Sequence, residues 1–100
     1  MIETLDVENR ITLQFVQSLL GSISSNFRMI FIEFKNGEPN LNFILEDRIE
    51  SDLEEIEEIA GEFEALFEKS KNYHVTVVIN PHEIRWPLPP ARVVFCRKEQ

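Results

Sequence analysis

One hundred residues, 43% of them hydrophobic and eight of them Phe, read as a single domain over residues 1–100, too apolar for a disordered acidic tail. The net charge of −8 argues against nucleic acid and anionic membrane as partners, since both are held by basic surfaces. A basic protein partner remains open.

The single cysteine, Cys96, excludes an internal disulfide and favours a reducing cytosol. Residues 1–6 lack the basic start and apolar stretch of a secretory signal. No unbroken apolar run is longer than Met29 to Ile32, far short of a spanning helix. The expectation is a cytoplasmic protein.

In chain order, Asp6 is placed to cap a first helix over 7–22, whose stripe is Val7, Ile11, Phe15, Leu19 and Ile23, widened by Val16 and Leu20. Gly21 and the Ser22–Asn26 stretch break it. Phe27 to Lys35 is a strand, apolar on both faces around Met29 to Ile32, which suits a central position in a sheet. Asn36-Gly37 follows directly, and both residues tolerate positive φ, so a hairpin is predicted with Leu41, Phe43 and Leu45 on the return strand.

Ser51 and Glu54 have capping-box spacing for a second helix, whose buried stripe is Leu53, Ile56, Ala60, Phe63 and Phe67. Acids at its start and Lys69 and Lys71 at its far end suit the helix dipole. Tyr73 to Asn80 alternates as a third strand. Four prolines between Pro81 and Pro90 exclude helix or central strand there, and Val93-Val94-Phe95 restores β character. The fold class is therefore α+β, in the order α-β-β-α-β-β. Two hairpins, each preceded by a helix, imply a mostly antiparallel four-stranded sheet with two helices on one face.

Catalytic and metal chemistry find no foothold in the spacing. There is no Cys-x-x-Cys, no His-x-x-x-His and no glycine-rich phosphate loop, and His82-Glu83 is a lone pair in a loop. Nothing sets His74 or His82 beside Cys96, which reads as a small packed residue at a strand end. The expectation is a non-enzyme without metal or other cofactor.

Two features point to binding. Residues 46–68 hold eleven of the eighteen acids against one base, Arg48. On the helical period Asp52, Glu54, Glu55, Glu57, Glu58 and Glu62 fall on the arc away from the apolar stripe. Solvated faces usually intersperse Lys with Glu, because like charges four residues apart destabilise a helix by about 0.2–0.5 kcal/mol. Here Glu54, Glu58 and Glu62 repeat at that spacing with no base between Arg48 and Lys69. The arc is either an ordinary solvated face or a functional acidic patch. The second feature is Pro81-His-Glu-Ile-Arg-Trp-Pro-Leu-Pro-Pro90, where Trp86 and Arg85 are of the types enriched at binding hot spots. Trp86 either folds back over the sheet or projects to meet a partner; both roles hold if Trp86 packs inward and Arg85 faces out.

In size, in the acidic run Glu46 to Glu68, in the single cysteine and in the absence of catalytic spacing, the chain resembles the small immunity proteins that bacteria pair with secreted toxins. The resemblance implies a domain that binds and neutralises a basic toxin or enzyme. The residues proposed for contact are Glu54, Glu55, Glu58, Glu62, Arg85 and Trp86. The alternative is a self-associating structural domain. Phe27, Met29, Phe31, Ile44, Val78 and Val94 would form an open sheet face that pairs in a homodimer.

Overall fold

The computed structural model describes residues 2–67 and 71–99, with the backbone alone at positions 2 and 3. The elements are α1 (Ile2–Ser18), β1 (Phe27–Lys35), β2 (Glu38–Leu45), α2 (Glu50–Leu66), β3 (His74–Ile79) and β4 (Arg92–Cys96). This is the α+β order read from the sequence. Asn36 and Gly37 take φ of 54° and 79°, so the turn joining β1 to β2 is built as the Asn-Gly pair predicts.

The sheet order is β3-β2-β1-β4. β1 is central, as its two apolar faces required. It pairs antiparallel with β2 and with β4, whereas β2 and β3 run parallel. The sheet is thus mixed, and the second hairpin does not form: β3 and β4 lie at opposite edges. The reason lies in the connection. Residues 80–91 are too many for a tight turn, and α2 carries the chain from β2 across to β3 as a parallel crossover.

Both helices pack on one sheet face. Ile11, Phe15 and Leu19 of α1 and Ile56, Ile59 and Phe63 of α2 meet Ile30, Ile32, Leu41, Phe43 and Leu45. Phe15 sets its ring edge-on to Phe43 at 5.8 Å and to Phe63 at 5.9 Å, so one side chain ties α1 to the sheet and to α2. A fully buried Phe of this kind contributes about 1.5–3 kcal/mol by area alone.

Local sequence rules fail at both helix starts. α1 begins at Ile2 and contains Asp6, so Asp6 is no cap, and it ends at Ser18 rather than residue 22. Leu19 and Leu20 donate to carbonyls three residues back, tightening the end, and Gly21 at φ 80° takes the left-handed conformation that stops a helix. Val16, about 100° round the helix from Phe15, and Leu20, beyond the helix end, are exposed rather than part of the buried stripe. α2 is capped at Ile49 without any side-chain bond, so the Ser51 capping box does not form.

A tertiary clamp fixes the start of α2 instead. Asn26 Nδ2 donates to the Asp47 carbonyl at 2.8 Å and to Asp52 Oδ2 at 2.9 Å, while the Asp47 N–H donates to Asn26 Oδ1. Ser24 Oγ–H donates to Asp52 Oδ1 at 2.8 Å. Asp52 is therefore 7% exposed and used internally, not part of the solvent arc. At 100° per residue it falls within about 40° of both Ile56 and Ile59, which is where the clamp needs it.

Candidate protein-binding surface

α2 turns its apolar stripe to the sheet, which fixes where its glutamates go. Glu54, Glu57, Glu58, Glu62 and Glu64 are exposed and Glu55 is half-buried. The helical angle divides them. Glu57 and Glu64 share the flank of the half-buried Leu53 and Ala60, and Glu64 Oε1 accepts from Tyr73 Oη–H at 3.3 Å, so this flank faces β3. Glu55 lies on the opposite flank, beside a shallow cavity that Ser22, Ile23 and Ser24 also line, so that flank faces the loop between α1 and β1. Glu54 points straight out.

Among the described residues no ion pair reaches Glu54, Glu55, Glu57, Glu58 or Glu62; the pairs present are made elsewhere. No base occupies the last turn of α2. Lys71 lies five residues beyond Leu66, the helix end, and Lys69 is outside the described residues. The expected lysine compensation of the dipole is absent from the described part of the helix.

Three of the arginines, Arg28, Arg92 and Arg97, are engaged away from the exposed α2 glutamates. Arg28, buried at 7% exposure, makes a two-pronged ion pair with Glu99 at 2.8 Å for each contact. It also donates to the backbone carbonyls of Asn80 and His82. Arg97 bridges Glu46 and Glu99, and Arg92 joins Glu8, Asn9 and Thr12 of α1 while lying over the Phe34 ring. Hydrogen bonding to Arg28 is the main cause that lowers the Glu99 carboxyl from 4.5 to about 2, and Arg97 adds to it. Negative charge is thus left uncompensated on α2 while positive charge is spent holding β4 and the 80–91 connection.

That connection joins the two edges of the sheet. Ile84 and Pro87 are half-buried, whereas Arg85 is exposed, Trp86 is 64% exposed and Leu88 is 83% exposed. Trp86 therefore does not cover the sheet. Of the six candidate residues, Glu54, Glu55, Glu58 and Glu62 lie on α2, and Arg85 and Trp86 are exposed on the 80–91 connection.

The model of the MafI2 immunity protein family matches residues 8–99, which takes in α2, the 80–91 connection and β4. The chain belongs to the MafI2 immunity protein family. No curated protein matches it. This MafI2-family chain has no described helix long and apolar enough to cross a membrane, and its described residues contain no cluster of His, Cys, Asp or Glu that could hold a metal ion.

The open-face surface expected for a homodimer is reduced in the MafI2-family fold. Phe27 is fully buried against Phe43 on the helix side, Val94 packs against the core and Met29 is covered. Only Phe31, Ile44 and Val78 stay partly or fully open, beside the polar Glu33, Asn40 and Thr76. Register explains the difference: a bulge between Phe27 and Met29, and another at Val94, switch faces that strict alternation had assigned. Cys96 is exposed rather than packed.

Sequence reasoning passed over the outer side of β3. All six of its residues are exposed, including Val75, Val77, Val78 and Ile79. The signal was present in the length of the 80–91 connection, which disfavours a β3–β4 hairpin and so leaves β3 at an edge.

Proposed function

We propose that this MafI2-family immunity protein binds and neutralises a basic toxin domain in the cytoplasm, and that the exposed glutamates of α2 draw that domain in. The observation that carries the reading is the row Glu54, Glu58 and Glu62, exposed on one helix without an ion-pair partner among the described residues. Family membership supports an inhibitor rather than an enzyme.

Such a row acts over distance. In about 0.1 M salt charges are felt to roughly 10 Å, so several glutamates on one face orient a basic partner before contact. Complementary charge raises the association rate, while desolvated contacts set the dissociation rate. Seated on a cationic surface, the helix denies that surface to the toxin's own substrate. Glu55, half-buried, adds to the field more than to the contact.

The exposure of Trp86 and Leu88 favours a second reading, in which the proline-stiffened connection is the grip and α2 only steers. Co-expression with toxin domains of the kind that MafI2-family immunity proteins are paired with tests the two. The first reading expects cells carrying the E54K/E58K double variant to lose protection while W86A protects fully. Full protection by E54K/E58K together with loss in W86A would overturn it.

A further inference from the structure

β3 is an edge strand with no device to protect the edge. Between His74 and Ile79 there is no lysine, proline or glutamate, and its parallel register with β2 runs without a bulge. Natural edges usually carry one of these, because unpaired N–H and C=O groups invite another strand. β4, at the other edge, does have a bulge, opposite Ile30 and Phe31.

The pairing tells which groups are open. The Asn80 N–H donates to the Leu45 carbonyl at 2.8 Å, so it points toward β2. Strand alternation then turns Thr76 and Val78 the same way and points the N–H and C=O groups of Val75, Val77 and Ile79 away from the sheet. The side chains along this edge are apolar and open, Val75, Val77 and Ile79 at 37–40% exposure on the helix side. Above them runs the α2 flank that carries Glu57 and Glu64.

We propose that the free edge of β3 receives an extended strand of the basic toxin domain, which continues the sheet and sets its lysine or arginine side chains against Glu57 and Glu64. Charge decides the occupant. A second copy would add another chain of charge −8 and bring a second row of α2 glutamates alongside the first. A basic strand meets the same flank with the opposite sign. Main-chain bonds then supply affinity, and the charged side chains select the partner. The inference rests on the function proposed above, and it names the mode of contact.

The test is amide exchange followed by NMR on the whole chain, alone and with a purified basic toxin domain whose toxicity the chain suppresses on co-expression. Val75, Val77 and Ile79 should exchange fast in the free chain and slow by at least about tenfold in the complex, while Thr76 and Val78 change less. Binding of the domain with unchanged exchange at those three residues overturns the inference and leaves the proposed function standing. No binding at all overturns both. Slow exchange in the free chain that grows with its concentration would assign the edge to a second copy and also overturn it. V77P removes an outward N–H at a position where edge strands accept proline, and should weaken binding by about 100-fold with its melting temperature nearly unchanged. Binding by a folded V77P at wild-type strength counts against the pairing.

Discussion

If the acidic face of α2 is kept for a partner, relieving it should make the free protein more stable. Glu58 sits at the centre of the row, four residues from Glu54 and four from Glu62, and all three are exposed. E58K removes two like-charge pairs and creates two opposite pairs at the same spacing, each of the four changes being about 0.2–0.5 kcal/mol. The pair in which the new lysine precedes Glu62 has the weaker orientation, and solvent screens both pairs. The net gain should therefore be about 1 kcal/mol, which raises the melting temperature of a 100-residue domain by roughly 4–8 °C. Thermal unfolding followed by circular dichroism at low salt measures this directly. In about 1 M NaCl, where the Debye length is roughly 3 Å, most of the gain should vanish. A melting temperature unchanged or lowered at low salt, or a gain that salt does not touch, would refute the claim that the row carries an uncompensated repulsion.

Three further outcomes follow from the same contacts. D52A removes the acceptor of Ser24 and one of the two acceptors of the buried Asn26 amide and should destabilise by about 1–3 kcal/mol in urea titrations, whereas E54A, on the exposed face, should stay within about 0.5 kcal/mol. Glu99 has its carboxyl lowered from 4.5 to about 2 by Arg28 first and Arg97 second, so its contribution is full above pH 4.5 and is lost as pH falls toward 2. E99Q should thus be less stable than wild type at pH 7, and the gap should close on acidification; a gap that is constant with pH removes the ion pair as its cause. W86A should leave stability within about 0.5 kcal/mol, because Trp86 is 64% exposed, and wild-type fluorescence should show the red-shifted maximum of a solvated indole.

The parts of this fold that the sequence revealed were those decided by neighbours along the chain. Asn36-Gly37 dictated its turn, and the helical repeats Ile11–Phe15–Leu19 and Ile56–Phe63 gave both buried stripes. What escaped was decided by distant residues. Asp52 looks like one more acid in an acidic run until Asn26 and Ser24 arrive to bind it. Val75 to Ile79 alternates equally well for a hairpin with β4 or a parallel partnership with β2, so periodicity could not choose the pairing. Bulges at Arg28 and Val94 shifted faces that simple alternation had assigned, and with them the surface expected for self-association. The acidic face of α2 was legible because burial of the apolar stripe leaves its glutamates nowhere else to point. The exposure of Arg85 and Trp86 was not, since it depends on how residues 80–91 pack between the two edge strands.

The central claim is that the α2 glutamates capture a basic toxin domain electrostatically. Its most direct test is the association rate constant between this chain and a basic toxin domain whose toxicity it suppresses on co-expression, measured from about 0.05 to 0.5 M NaCl for wild type and for the E54K/E58K/E62K triple variant. Wild type should associate at least tenfold faster at the lowest salt and lose that advantage steeply as salt rises, while the triple variant should be slow and nearly flat. Equal rates and equal salt dependence in the two proteins would contradict the account.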